Sequence, residues 1–217
     1  QLSTILGSYN RLSFLKLTIN SIREELLRLN LAFEIIVIDG GSTDGALEWL
    51  THQKDIITIV QHNRGVWGGK PIERRSWGYF MNLGFKCAQG KYICMLSDDC
   101  LIIPNAIVNG YQCFENKLAA GQNIGALAFY WRNYTTKNMP YAVYKIFGSH
   151  IFVNHGIYLK KALKAVDYID EESFMFYTAD MDLCLKLKQK GYDCLDAPDS
   201  YIEHYPHANM GVRDTNQ

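Results

Sequence analysis

The chain has 217 residues, 48% of them hydrophobic and only 5 of them proline, which suits a folded body with a large core and excludes a linker-rich or disordered protein. Its 22 acidic and 22 basic residues cancel, so no overall field draws nucleic acid, and an anionic partner must be held by local groups. The six cysteines form no C-x-x-C pair and several lie in apolar runs, so they read as reduced core thiols rather than a disulfide scaffold or zinc site.

In chain order, residues 2–6 read as a first strand. Leu12, Leu15, Ile19, Ile22, Leu26 and Leu29 then recur at three- and four-residue steps, which is one face of an amphipathic helix. Residues 34–38 form a second strand that ends in the turn-rich loop 39–45. A short helix at 46–51 and a third strand at 56–60 follow. Residues 61–76 are rich in glycine and cations, including Arg64, Lys70, Arg74 and Arg75, and lead into a helix at 77–88 with Gly90 as its stop. Strand and helix alternate throughout this half, which predicts right-handed parallel crossovers and a three-layer α/β/α sheet.

The fourth strand carries the most informative residues. Tyr92, Ile93, Cys94, Met95 and Leu96 form an apolar run of the kind covered on both faces, and it drives into Asp98 and Asp99. Ligands of open α/β sheets bind at that carboxyl end. Two adjacent carboxylates repel each other, so they are explained either by a shared divalent cation or by a solvated turn. Asp39 and the turn Gly7-Ser8-Tyr9-Asn10-Arg11 end strands of the same sheet, so three loops converge on one edge. There a tyrosine face can stack on a base, a carboxylate can accept from a base or ribose, and an arginine can neutralise phosphate. Each residue also has a plain structural role: Asp39 as an Asx-turn former, Tyr9 as packing, Arg11 as a helix-start residue. The loop 40–45 is neither G-x-G-x-x-G nor a P-loop.

Beyond Pro104 a helix to about residue 120 and a strand at 124–130 are expected, then an aromatic hairpin or long loop at 131–150. A helix at 177–190 capped by Gly191 follows, with two short strands at 192–195 and 201–204. No linker divides the chain. Residues 1–103 and 104–217 read as two halves of a single domain. On the late helix, Asp182 is a first-turn acid four residues before Lys186, whereas Asp180 lies on the apolar side, as an N-cap or as a general base facing a cavity. His204 ends a strand as Asp99 does and is a candidate metal ligand; His207 lies nearby in sequence.

These segments, in order, resemble a family-2 inverting glycosyltransferase of the GT-A fold. Ser8-Tyr9-Asn10-Arg11 looks like its opening turn, and Val37-Ile38-Asp39-Gly40-Gly41-Ser42-Thr43-Asp44 like its V-D-D/N-G-S-T-D loop. Asn82-Leu83-Gly84 with Ala88-Gln89-Gly90-Lys91-Tyr92 looks like its N-x-G…A-x-G-x-Y segment, Ser97-Asp98-Asp99 like its D-x-D position, and residues 178–186 like its G-E-D-x-D-L-x-L-R segment. The resemblance spans residues 2–205. It implies a nucleotide-sugar donor, a glycan or other hydroxyl acceptor, and Mn2+ or Mg2+ as cofactor. Asp39 would read the base, Asp98 the ribose or diphosphate region, Asp99 the metal, and Asp180 the acceptor hydroxyl. Ser97, Met81 and Ala179 depart from the pattern; Met81 stands where many relatives carry arginine, which moves diphosphate neutralisation to Arg74, Arg75 or Lys70. Nucleotidyl transfer on a related sheet and a glycan-binding module without turnover are the competing readings. No apolar run nears the roughly 20 residues of a membrane helix. The expected setting is the cytoplasm, including the inner face of the membrane, with a role in polysaccharide or cell-envelope glycan synthesis. The start at Gln1 and the polar stretch 213–217 read as the ends of a piece trimmed from a longer protein with further domains.

Overall fold

The computed structural model of the chain describes residues 1–136 and 138–205, so His207 and the tail at 213–217 lie outside the described residues. The first half runs β1 (Leu2–Ser8), α1 (Leu12–Leu26), β2 (Phe33–Asp39), α2 (Ala46–Thr51), β3 (Ile56–Val60), the small hairpin β4 (Val66–Trp67) and β5 (Lys70–Pro71), α3 (Trp77–Cys87) and β6 (Tyr92–Met95). The second half runs β7 (Cys100–Ile102), α4 (Ala106–Ala119), β8 (Ile124–Asn133), a 3₁₀ turn (Tyr134–Thr136), the hairpin β9 (Lys145–Ile146) and β10 (His150–Ile151), β11 (Gly156–Leu159), α5 (Lys160–Ala165), α6 (Ala179–Gln189) and β12 (Asp193–His204).

One eight-stranded sheet, ordered β3-β2-β1-β6-β11-β8-β12-β7, passes through both halves. β3, β2, β1 and β6 are mutually parallel, as the strand–helix alternation predicts. β11 enters antiparallel between β6 and β8, and β8 is again parallel to β12. The sheet is therefore mostly parallel, and the carboxyl ends of β1, β2, β6, β8 and β12 open on the same edge.

The helix periodicity in α1 matches its packing. Leu15, Ile19, Ile22 and Leu26 have no exposed surface, each contributing roughly 1.5–3 kcal/mol of burial. Leu29 falls past the helix end. Two other residues of α1 do work that periodicity does not announce. The Thr18 hydroxyl donates to the Cys100 carbonyl (2.7 Å), lies 3.0 Å from the Asp98 carbonyl and accepts the Cys100 N–H at 3.1 Å, which fixes the turn bearing the acid pair. Buried Glu25 accepts the Asn105 and Ile107 N–H groups at 2.7 and 3.1 Å. A helix N-terminus is stabilised by such a carboxylate. α4 therefore starts at Ala106 rather than at Pro104, with Asn105 in the left-handed region at φ 73°.

Other elements also differ from the sequence reading, among them β4, β5, β7 and α5, none of which was expected. The two short strands expected at 192–195 and 201–204 are one strand, β12, with a register shift between Ala197 and Tyr201. The aromatic region resolves into the end of β8 and the β9–β10 hairpin, whose turn holds Phe147 and Gly148 at φ 47° and 78°. β11 was not expected at all. Its four residues are too short for a periodic signal, and the fit depends on Gly156, where an added Cβ would lie 1.9 Å from the Leu127 carbonyl oxygen.

Candidate functional site

The loops after β1, β2, β3 and β6 and the start of α3 form one cleft. Ser8, Tyr9, Arg11, Arg74, Arg75 and Asp98 all line it, together with Gly40, Asn63, Arg64, Trp77, Phe80, Asn154, Met175 and Phe176. Asn63 organises the cationic wall: its N–H donates to the Gly40 carbonyl (3.1 Å), its amide donates to the Arg75 carbonyl (3.1 Å), and its Oδ1 accepts the Arg75 N–H (2.5 Å). The Arg64 guanidinium lies over the Tyr9 ring at 4.9 Å and that of Arg75 over Tyr79 at 5.5 Å. Burial first, and then the neighbouring Arg64 charge, hold Arg74 below the usual arginine range. Like charges gathered in a cleft are stabilised by an anion.

The same cleft borders on the acids. Arg11 Nη1 bonds Asp98 Oδ1 at 3.0 Å and Asp99 Oδ2 at 2.6 Å. Arg11 thus faces the acid pair rather than standing free for a phosphate. Each carboxylate keeps its other oxygen, Asp98 Oδ2 and Asp99 Oδ1, buried without a hydrogen-bond partner. Burial, opposed by Arg11 and reinforced by Asp99, pushes the Asp98 carboxyl up to about 6. Burial acts the same way on Asp99, but His204, then Arg11 and His155, outweigh it and hold Asp99 below the usual range. His204 Nε2 lies 3.3 Å from Asp99 Oδ1, and its Nδ1 lies 3.1 Å from Asn133 Oδ1. Two buried, partly unpartnered carboxylates beside an imidazole are a donor set that fits Mn2+ or Mg2+. Asp98 is the member that lines the cleft.

Asp39 has no exposed surface and is not among the residues lining the cleft. Its Oδ1 accepts the Gly41 and Ser42 N–H groups at 2.8 and 2.7 Å, and its Oδ2 accepts the Ser42 hydroxyl at 2.7 Å. Asp39 therefore closes the Asx turn that holds Gly40 at the cleft surface. Asp180 occupies the first turn of α6, half-buried, with the Met181 N–H bonded to its Oδ1 at 3.0 Å. Burial, partly offset by that bond, raises its carboxyl to about 6. Asp180 is not among the residues lining the cleft; the same segment reaches it through Met175 and Phe176.

Sequence reasoning missed Asn63, Asn154, Phe176 and His155. Arg64 was visible only as part of a cation-rich stretch. Asn154 and His155 precede the unexpected β11 and carried no motif. His155 is 3% exposed, and burial above all lowers its basicity to about 3.

The fold is of the GT-A glycosyltransferase type. The model of the family described as "Glycosyl transferase family 2" matches residues 3–150, and the chain belongs to that family. Among solved structures, S. aureus TarS 1–349 in complex with UDP-GlcNAc is similar at 17% identity and a TM-score of 0.68, covering 94% of this chain and 58% of that one. The mannosyltransferase PcManGT from Pyrobaculum calidifontis, in complex with GDP-Man and Mn2+, is similar at 16% identity and a TM-score of 0.68, covering 99% and 60%. S. aureus TarS itself gives a TM-score of 0.70 at 16% identity, covering 98% and 38%. The chain spans three-fifths or less of the length of these proteins. No curated protein sequence matched the chain.

Proposed function

We propose that the chain moves a sugar from a nucleoside-diphosphate donor to an acceptor hydroxyl with inversion. The reading is carried by the cleft itself, where Arg64, Arg74 and Arg75 share the lining with Asp98, a buried carboxylate that keeps one oxygen without a hydrogen bond. The arginines suit a diphosphate, and Asp98, Asp99 and His204 suit a divalent ion, Mn2+ or Mg2+. Such an ion would supply positive charge that offsets the charge developing on the departing diphosphate. Arg11 keeps the acid pair from repelling itself apart in the absence of donor.

In this reading Asp180 takes the acceptor proton as the new bond forms. Support comes from its burial, which lifts the carboxyl to about 6 and so makes it a stronger base while leaving it ionised at neutral pH. Asp39 acts on the base indirectly, by shaping the loop that presents Gly40. The Trp131 to Tyr144 region, where the two rings pack 4.8 Å apart, belongs to the acceptor side, which assigns donor binding to residues 1–103 and acceptor binding to 104–217. All six cysteines are free, which supports a reducing, cytoplasmic setting, and no helix among the described residues is long and apolar enough to cross a membrane. A role in polysaccharide or cell-envelope glycan synthesis completes the proposal.

The test is incubation of the protein with a panel of sugar nucleotides and manganese. Release of free nucleoside diphosphate that requires Asp180 supports the reading. Pyrophosphate release points to nucleotidyl transfer, and binding without release points to a glycan-binding module.

A further inference from the structure

Beside Asp99, three residues bring potential metal-binding atoms together. Cys100, His155 and His204 each offer one such atom, and the three lie within 4.8 Å of one another. The Cys100 Sγ and His155 Nε2 are 3.9 Å apart. Backbone pairing sets this arrangement. His204 of β12 is the register partner of Cys100 in β7, and the Phe129 N–H of β8 bonds the His155 carbonyl at 2.9 Å. The Trp131 ring closes the group, meeting His155 and His204 edge-on at 5.9 and 5.4 Å.

The group is poorly satisfied as a purely structural one. His155 is 3% exposed, and the Nε2 that meets Cys100 has only a long contact with a weak thiol donor. Buried polar atoms are ordinarily paired, so such an imidazole needs an explanation. Asp99 Oδ1 is also buried without a hydrogen-bond partner and lies 3.3 Å from His204 Nε2, at the edge of the group. A thiolate and two imidazoles, with a carboxylate at their edge, are donors of the kind that select zinc over manganese or magnesium.

We infer that Cys100, His155 and His204 form a second metal site, specific for a soft or borderline divalent ion such as Zn2+, with Asp99 at its edge. Binding breaks the Cys100 S–H bond and forms a metal–sulfur bond. The proton leaves to solvent and no electron is transferred. The charge then balances within the buried region: the ion is matched by the thiolate and Asp99, while Arg11 and Asp98 match each other. His204, whose side chain is 19% exposed, is the route of entry. Resting on the proposed transferase reading, this site and the donor-side metal position share Asp99 and His204. Zinc held there occupies both, which makes the site an inhibitory one.

Cobalt(II) titration of the full chain under reducing conditions tests the site without reference to sugar transfer. A thiolate-to-cobalt charge-transfer band is expected in the wild type and in Cys87→Ser, which removes the exposed cysteine. Cys100→Ser is expected to lose the band, and His155→Gln to bind cobalt on the order of 10–100-fold more weakly. Absence of the band in the wild type, its persistence in Cys100→Ser or its loss in Cys87→Ser overturns the inference. Should Cys100→Ser fail to fold by circular dichroism, His155→Gln decides, since an unchanged cobalt affinity there also overturns it. Loss of sugar transfer with an intact cobalt band would refute the transferase reading and leave this one standing.

Discussion

Replacing Asp180 by asparagine should make the protein more stable at neutral pH and nearly inactive. Burial raises this carboxyl from 3.8 to about 6, so between those values the folded chain holds a proton that the unfolded chain has released. Stability therefore falls as pH rises through that window and remains lowered above it. The interval corresponds to at most about 3 kcal/mol, at about 1.4 kcal/mol per pH unit. Asp180 is only half-buried and an amide also loses hydration on burial, so a gain of about 1–2 kcal/mol is the expectation for Asp180→Asn at pH 7.5. The asparagine Oδ1 can still accept the Met181 N–H. Urea unfolding at pH 7.5 and at pH 4.5 measures the effect, and the gain should shrink by more than half at the lower pH. Turnover should drop on the order of 10²–10⁴-fold. A variant no more stable than the wild type at pH 7.5, or a gain that does not change with pH, would refute the reasoning.

Wild-type turnover should fall about tenfold per pH unit below pH 6, as Asp180 becomes protonated, and a flat profile to pH 5 would remove it as the base. Arg11→Met strips the acid pair of its partner and should cost about 3–5 kcal/mol by denaturant midpoint, with part of the loss restored by millimolar manganese. Gly156→Ala pushes a methyl group into the Leu127 carbonyl and should destabilise by about 3 kcal/mol or more in the same assay, since neither strand can yield inside the sheet. Arg74→Ala should weaken nucleoside-diphosphate binding about tenfold in calorimetry, with a smaller salt dependence, while leaving the fold intact.

Much of the architecture was legible because it follows from local rules. The three- and four-residue spacing in α1 and the apolar runs of β2 and β6 are properties of short windows, and the same windows carry the turns after β1, β2 and β6. Alternation of strand and helix then dictated parallel pairing, so Tyr9, Gly40 and Asp98 were bound to meet at one edge. What escaped were pieces whose conformation is set by distant partners. β11 exists because β6 and β8 each offer it a row of hydrogen bonds, and β12 is one strand rather than two because β8 runs alongside all of it.

The sequence by itself determined the fold class, the sheet edge on which the loops gather and the acid pair at its centre, since each depends on periodicity and chain order. Only the tertiary structure decided how those residues are used. Arg11 reaches 87 residues along the chain to Asp98, Glu25 caps a helix 80 residues away, and His155 comes to lie against Cys100 and His204. Charge neutralisation, helix capping and metal-ligand geometry are through-space properties, so no local window of sequence contains them.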